Sequence, residues 1–176
     1  QQDFAEAAKW YQKAADQGDA RAMSGLGYLY AQGRGVAKDE AKSLELYLKA
    51  AEKEETSVYA LLGWAYYQGS GTAKNDAESA KWFRKAAELN DAQSQYMLGY
   101  LLEQAKSFSE AAQWYQKAAE QGVAGAQESL AALYFSGQGV QQDYAQAAKW
   151  YQKPAENGST YAQYLLGYIY ESGKHG

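Results

Sequence analysis

The sequence predicts an all-α solenoid of stacked helical hairpins, because one segment returns along the chain at a nearly fixed interval. The segment from Lys9 to Ala15 reads KWYQKAA, and four later stretches resemble it. The residues that correspond to Trp10 follow at intervals of 36, 36, 32 and 36 residues, at Leu46, Trp82, Trp114 and Trp150. A period of this length is typical of hairpins that bury a continuous core only by stacking. Two helices in each unit give about ten helices in all.

The helix that carries this segment, which we call helix B, has a start signal in every unit. A residue that can cap a helix stands seven positions before the Trp10 position, where its side chain accepts from free first-turn amides. These predicted N-cap residues are Asp3, Asp39, Asn75, Ser107 and Asp143. The helix end is marked by Gly18, Asn90, Gly122 and Gly158, which tolerate a left-handed conformation. Glu54 stands at that place in the second unit, and we expect a less regular end there.

The other helix, helix A, follows directly after helix B and carries a Leu-Gly-x-x-Tyr signature. A glycine inside a helix costs about 1 kcal/mol relative to alanine, so its recurrence needs a reason. We expect close packing against a neighbouring helix rather than a flexible hinge. The glycines concerned are Gly27, Gly63, Gly99 and Gly167, with Ala131 in the fourth unit. Helix A is expected to begin near Asp19, Glu55, Asp91, Val123 and Ser159.

Glycine pairs join helix A to the next helix B in three units, at residues 33–36, 69–72 and 137–140. They predict a structured loop in which Val36 or Val140 turns back onto the hairpin. The third unit lacks this loop, which explains its interval of 32 residues. Inside the last helix B, Pro154 replaces an alanine. Because proline removes one intrahelical hydrogen bond, we expect a kink or a break between Trp150 and Ala155.

These features together resemble the Sel1-like repeat, a relative of the tetratricopeptide repeat. The resemblance rests on the Leu-Gly-x-x-Tyr segment, the Gly-x-Gly-Val loop, the Asp cap and the Trp-Tyr-x-Lys-Ala-Ala segment, and it covers the whole chain. It implies a right-handed α/α superhelix of antiparallel hairpins that acts as a protein-binding scaffold. Leu46, Ala131, Pro154 and the missing third loop depart from the pattern. We expect residues 1–176 to be one array of about 4.5 to 5 repeats, cut from a longer one.

Composition excludes several classes of function. The net charge of −4 and the pI of about 5.1 argue against nucleic-acid binding, which requires a basic surface. The longest apolar run, Val58 to Tyr67, is far shorter than the roughly 20 residues that span a bilayer, so we expect no membrane insertion. The chain has no cysteine, and its single histidine, His175, is the penultimate residue. We therefore expect no catalytic residues, no metal site, no cofactor and no enzymatic activity.

Two sets of repeated residues on helix B are expected to be structural. The tryptophans at positions 10, 82, 114 and 150 are predicted to form inter-repeat core rather than a ligand platform. The lysines at 13, 49, 85, 117 and 153 are predicted to be solvated, at the negative end of each helix dipole.

Residues that vary between units are better candidates for function. On helix A, Ala22, Leu26 and Tyr30 share the inward face, so positions 21, 24, 28 and 31 point away from it. In related arrays helix A lines the concave side, which predicts an aromatic ladder with acidic members. We call this set the predicted binding row: Tyr28, Trp64, Tyr67, Tyr96, Tyr100, Glu103, Glu128, Phe135, Tyr164 and Tyr168. Alternatively, these aromatic side chains fill the space between adjacent A helices.

The sequence thus predicts a non-catalytic adaptor that binds a protein or peptide through its concave face, with Lys or Arg in the partner. The alternative is a small-molecule, glycan-binding or hydrolytic role in an acidic-aromatic pocket around Trp64, Tyr96, Tyr100 and Glu128. We expect a monomer, with end-to-end self-association as a further alternative. The family resemblance alone, and no residue of this chain, points to a bacterial cell envelope, the periplasm or secretion.

Overall fold

The computed structural model describes residues 3–173, and within that range ten α-helices pack as sequential hairpins. The prediction of an all-α hairpin array is confirmed. A short 3-10 turn, Thr56–Val58, precedes the fourth helix. The helices are α1 (Phe4–Asp16), α2 (Ala20–Gln32), α3 (Glu40–Glu52), α4 (Tyr59–Gln68), α5 (Asp76–Glu88), α6 (Ala92–Gln104), α7 (Phe108–Glu120), α8 (Ala124–Ser136), α9 (Tyr144–Glu156) and α10 (Thr160–Glu171).

The chain divides into two compact units, one up to Ala86 and one from Ala87 onward. In the first unit, the core is built around Leu26, Tyr47 and Leu62, which lie between the faces of α2, α3 and α4. In the second unit, α6 to α10 enclose two clusters, one around Tyr115 and the other around Tyr151. Each core therefore alternates leucines of helix A with an aromatic residue of helix B.

The predicted N-caps define the helix starts. The side chains of Asp3, Asp39 and Asp143 each accept a hydrogen bond from the backbone N–H three residues later, at 2.9–3.0 Å. Asn75 does the same for α5 at 3.0 Å. Ser107 precedes α7 without such a side-chain bond. Most hairpins thus begin with first-turn amides that are satisfied locally.

The end of α3 is as regular as the others, so the expectation of a less regular end at Glu54 is wrong. Glu54 adopts φ 62°, the same left-handed region as Asn90 and the glycines at this place. The amides of Glu54 and Glu55 bond to the carbonyls of Ala51 and Ala50. Helix termination imposes this conformation even on a residue with a side chain, at a cost of about 1 kcal/mol.

The glycines of helix A mark close contact with the following helix B, as predicted. A Cβ atom at Gly63 would lie 2.6 Å from Phe83, and one at Gly99 would lie 2.6 Å from Tyr115. At Gly27 the corresponding distance to Tyr47 is 2.8 Å. Gly167 has no atom within 4 Å of such a position, because no described helix follows α10.

The glycine-pair loops pack on the helix B that precedes them. A Cβ at Gly35 would lie 2.2 Å from the backbone of Phe4 in α1, and one at Gly139 would lie 2.3 Å from Phe108 in α7. The Ser109 hydroxyl also donates to the Gly139 carbonyl at 2.9 Å. The loop therefore holds three consecutive helices together and does more than connect two.

Pro154 does not interrupt α9, so the expected kink or break of the last turn is not found. The helix continues to Glu156 and has the same length as the other B helices. The Ser159 amide bonds to the Pro154 carbonyl at 3.0 Å, as the Asp19 amide bonds to Ala14 in α1. The proline ring is fully buried, so its packing offsets the single hydrogen bond that it removes.

Candidate functional site

Two residues of the predicted binding row line one open cleft in the first unit. Tyr28 of α2 and Trp64 of α4 face a space of about 430 Å³ whose floor is formed by Leu44 and Tyr47 of α3. The helical period places residues 28 and 64 at the same point of successive A helices, on the side turned away from the hairpin core. The rim carries an ion pair in which the Lys38 Nζ lies 2.6 Å from Glu40.

A second cleft of about 410 Å³ lies on the other side of Tyr28, against α1. Tyr28 and Leu61 line both spaces and form the wall between them. The Tyr28 side chain is 43% exposed, and its hydroxyl accepts a hydrogen bond from the Arg34 guanidinium at 3.4 Å. Tyr28 therefore offers an accessible ring edge on two sides, with one cation beside it.

Trp64 and Tyr67 are less accessible than Tyr28, since they also pack within the hairpin. The ring of Trp64 meets Phe83 edge-on at a centroid distance of 5.4 Å, and Tyr67 at 5.8 Å. Both of these side chains are half-buried. Trp64 therefore has both of the roles considered for the predicted binding row. One edge of its ring packs beside α5, and another edge lines the cleft.

The acidic members of the row lie together in the second unit. The Tyr96 ring is half-buried beside Tyr115, with the centroids 5.9 Å apart. Burial raises the pKa of the Tyr96 phenol, and the nearby Glu103, Tyr100 and Glu128 raise it further. Two carboxylates thus face one phenol, and no ion pair links either of them to a Lys or Arg within residues 3–173. A cation placed at this surface would be attracted by both carboxylates.

Glu103 also has a structural role that the sequence reasoning did not anticipate. The buried Tyr115 hydroxyl donates to its Oε2 at 2.6 Å. Burial and this carboxylate together raise the pKa of Tyr115. In the next repeat, Phe135 stands at the position equivalent to Glu103. The buried hydroxyl of Tyr151, which is equivalent to Tyr115, has no hydrogen-bond partner among the described residues. The sequence signal for this role was the change from Glu103 in one repeat to Phe135 at the equivalent position of the next repeat.

The last three members of the row lie on α8 and α10. Phe135 contacts Tyr168 at a centroid distance of 5.9 Å and Tyr144 at 5.3 Å. Tyr164 is the most accessible member, with 71% of its surface exposed. The burial of the row therefore varies along the chain, with exposed aromatic side chains at Tyr28, Tyr164 and Tyr168 and half-buried ones between Tyr28 and Tyr164.

The tryptophans of helix B follow the prediction of a core role only where a helix A precedes them. Trp114 is buried, and Trp82 packs against Tyr59 at 5.8 Å. Trp10 is 63% exposed, which corrects the core assignment for that residue, because no described helix precedes α1.

Three of the repeated lysines lie over these rings, a contact that the sequence reasoning missed. The Nζ atoms are 3.9–4.6 Å from the ring centroids, close enough for cation–π attraction. The Trp-x-x-Lys spacing of three residues was the available signal, since it places both side chains on one helix face. The pairs are Lys13 with Trp10, Lys85 with Trp82 and Lys117 with Trp114.

Residues 3–173 contain no group of three or more acidic or histidine side chains placed to hold an ion. His175 lies outside the described residues. Within that same range, none of the helices combines the length and apolar character needed to cross a membrane.

A family model for the Sel1 repeat matches the chain from end to end. The matched stretches are residues 1–19, 20–54, 57–91, 92–123, 124–159 and 160–176. The chain belongs to the Sel1 repeat family. Each complete match contains one helix A and the helix B that follows it, which agrees with the hairpins described above. Repeats of this kind generally mediate protein interactions, and their scaffolds are usually non-catalytic.

Solved structures of other Sel1 repeat proteins share this fold. The protective antigen c5321 of uropathogenic Escherichia coli strains is 38% identical, with a TM-score of 0.87, over 98% of this chain. The chain spans 38% of that antigen's length. A Sel1 repeat protein from Oxalobacter formigenes is 36% identical over 97% of this chain and 74% of its own, with a TM-score of 0.80. No curated protein matches the chain.

Proposed function

We propose that this Sel1 repeat chain is a non-catalytic scaffold that binds a partner protein or peptide through the outward face of its A helices. The observation that carries the proposal is the cleft in the first unit. Tyr28 and Trp64, which the sequence predicts to share one surface, line the same open space with Leu61. Aromatic side chains of this kind contribute large contact areas at little cost in side-chain entropy, and they dominate interface energies.

The shape and chemistry of the cleft favour a peptide side chain as its occupant. Leu44, Leu61 and Tyr47 provide apolar walls and floor, while Ser43 and Gln68 offer polar groups at the margin. A volume of about 430 Å³ accommodates one or two large apolar side chains and leaves the peptide backbone at the surface. The second cleft beside Tyr28 would take the next anchor of the same peptide.

In the second unit we propose that the partner presents Lys or Arg. Glu103 and Glu128 lie close enough to Tyr96 to raise its pKa, so a cation placed there gains from both carboxylates and from the aromatic ring. The gain is expected to weaken at high salt, because these side chains are only half-buried.

The test begins with a phage library of random 12-residue peptides selected on the immobilised chain. Peptides that bind are then titrated by calorimetry against the wild type and Tyr28→Ala. Loss of one aromatic anchor costs about 2 kcal/mol, so we expect affinity to fall about 30-fold. Trp10→Ala is the matched control, since Trp10 is an exposed aromatic residue on a different face. Equal affinity for wild type and Tyr28→Ala would contradict the proposal for this cleft.

Tyr28 is a better probe than Trp64, because truncation of Trp64 also removes the contact with Phe83. For the second unit, Glu128→Gln is compared with Glu120→Gln, an exposed acid at the end of α7. We expect only Glu128→Gln to weaken the binding of peptides that contain Lys or Arg. If both variants weaken binding alike, the effect is one of net charge and the local site is rejected.

A second candidate, the binding of a small cationic molecule, is favoured by the same cluster around Tyr96. It is distinguished by an NMR titration with free arginine, in which resonances of Tyr96 and Tyr100 should shift at millimolar concentration. A glycan-binding or hydrolytic role gains less support, since the Glu103 carboxylate is held by the Tyr115 hydroxyl. Absence of shifts with arginine, together with binding of basic peptides, would favour the scaffold.

A further inference from the structure

The cleft between α2, α3 and α4 contains a space that a carboxylate fills at the equivalent place of the second unit. There, Oε2 of Glu103 in α6 accepts a hydrogen bond of 2.6 Å from the hydroxyl of Tyr115 in α7. In the first unit, Ala31 of α2 stands at the position equivalent to Glu103, and Tyr47 of α3 at the position equivalent to Tyr115. Ala31 and Tyr47 both line the cleft of about 430 Å³. The place of the carboxylate is therefore open to a ligand in the first unit.

The two tyrosines are packed alike, so the comparison also holds for their geometry. A Cβ at Gly27 would lie 2.8 Å from the Tyr47 ring, and one at Gly99 would lie 2.6 Å from the Tyr115 ring. The residue four positions after each glycine lies one turn farther along the same helix face. A carboxylate held near position 31 would therefore meet the Tyr47 hydroxyl as Glu103 meets its tyrosine.

The phenol of Tyr47 lies beside two other hydroxyl groups of the cleft. Burial raises the pKa of this phenol, the Ser43 hydroxyl acts in the opposite direction, and the Tyr28 phenol raises the pKa further. Ser43 and Tyr28 are thus close to the Tyr47 oxygen, and all three residues line the cleft. An anion placed at this point would find several O–H donors within reach.

A cation without an acidic partner stands next to these hydroxyls. The Arg34 guanidinium donates to the Tyr28 hydroxyl at 3.4 Å, and its carbon lies 5.5 and 5.7 Å from the ring centroids of Phe4 and Tyr28. No ion pair links Arg34 to an acid within residues 3–173, whereas Lys38 on the rim is paired with Glu40. An acceptor bonded to the Tyr28 hydroxyl would lie within about 6 Å of the guanidinium. The local charge therefore favours an anion.

We propose that this cleft receives a Glu or Asp side chain of the partner, whose carboxylate takes the place that Glu103 fills in the second unit. The inference rests on the proposed function, because it assigns the chemistry of the partner at the same cleft. The carboxylate accepts hydrogen bonds from the hydroxyls of Tyr47 and Tyr28 and is attracted by Arg34. A large apolar side chain two residues away in an extended peptide points in the same direction and packs on Leu61.

Two capped tripeptides, acetyl-Glu-Gly-Phe amide and acetyl-Gln-Gly-Phe amide, test this assignment. Their caps leave the Glu side chain as the only carboxylate. NMR titration of the chain with each tripeptide, up to about 10 mM, gives two dissociation constants. Their ratio is the readout, because a variant that merely disturbs the cleft weakens both tripeptides alike. Since hydrogen bonds to a charged group are the stronger ones, the wild type should bind the Glu tripeptide about tenfold more tightly.

Variants of the chain remove or replace each contribution to this preference. Tyr47→Phe keeps the ring and removes the hydroxyl, and Arg34→Gln removes the cation, so both should bring the ratio towards one. Lys49→Gln is the matched control, since it removes the same charge from an exposed site of α3 outside the cleft and should keep the ratio. Ala31→Glu supplies the chain's own carboxylate and should favour the Gln tripeptide. Ala31→Gln, which adds a side chain of the same size without the charge, should not reverse the preference.

A wild type that binds both tripeptides equally, or binds neither, would overturn the inference. A ratio that Tyr47→Phe and Arg34→Gln leave unchanged would overturn it as well. Phage-selected peptides that depend on Tyr28 but show no preference for an acidic residue would reject the carboxylate site and retain the scaffold. Selected peptides that bind the wild type and Tyr28→Ala equally would instead reject the cleft itself.

Discussion

Substitution of a helix-A glycine by alanine is expected to change the free energy of unfolding in opposite directions at two positions, because only one of them lies against a following helix B. Gly99→Ala places a Cβ 2.6 Å from Tyr115, about 0.8 Å inside the ordinary contact distance of 3.4 Å. Tyr115 is fully buried and its hydroxyl is held by Glu103, so the ring has little freedom to move away. Such overpacking costs about 1–3 kcal/mol, while the gain in helix propensity returns about 1 kcal/mol. The net expectation is a loss of about 1 kcal/mol.

Gly167→Ala is the matched control, since its added Cβ meets nothing within 4 Å. Only the propensity gain of about 1 kcal/mol remains, and this variant should be stabilised. For a chain of this size, 1 kcal/mol corresponds to about 2–4 °C, so the two melting temperatures should differ by about 4–8 °C. Thermal unfolding followed by circular dichroism measures both. If the two substitutions shift the melting temperature equally, the glycines do not mark close packing and the argument fails.

Three further predictions concern side chains and helix ends. Tyr115→Phe should destabilise the chain by about 2 kcal/mol, because it leaves the Glu103 carboxylate without its donor. Tyr151→Phe should be neutral or stabilising, because it removes an unpaired hydroxyl. Urea unfolding of the two variants measures the difference. Both tyrosines have a pKa raised by burial, so their contribution to stability is complete below the unfolded pKa of about 10 and declines above it, by about 1.4 kcal/mol per pH unit for each. Urea midpoints that do not fall between pH 9 and 11 would contradict this. Glu54→Gly should raise the melting temperature more than Asn90→Gly, since asparagine already tolerates the left-handed region that both occupy; an equal effect would argue against backbone strain at Glu54.

The repeated sequence features predict the fold in detail, because each reports a local physical requirement. Asp3, Asp39 and Asp143 cap helices since first-turn amides need an acceptor wherever a helix begins. Gly63 and Gly99 recur since a side chain there would overlap the next helix. These requirements depend on neighbours in sequence or on the adjacent helix, and the period makes them visible.

What the sequence could not show depends on which neighbours a residue has in space. Trp10 and Trp114 stand in nearly identical segments, yet only Trp114 is covered. Glu54 violates the helix-end pattern and still adopts the left-handed conformation, since the rest of the terminus determines it. Tyr28 and Trp64 stand at equivalent positions of the predicted binding row, yet Tyr28 is exposed and Trp64 is half-buried. Trp64 is less accessible because its ring packs against the ring of Phe83. The binding role of that row remains a prediction.

The contact between each glycine-pair loop and the earlier helix B bears on how the protein can be cut for engineering. The loop after α2 rests on the first turn of α1, and the loop after α8 rests on α7. An isolated hairpin, one helix A with one helix B, would leave one side of every such loop without support. The smallest fragment that keeps both helix contacts of one such loop therefore has three helices, such as residues 3–53 or 107–157. Libraries built by shuffling modules should use that triplet as the building block.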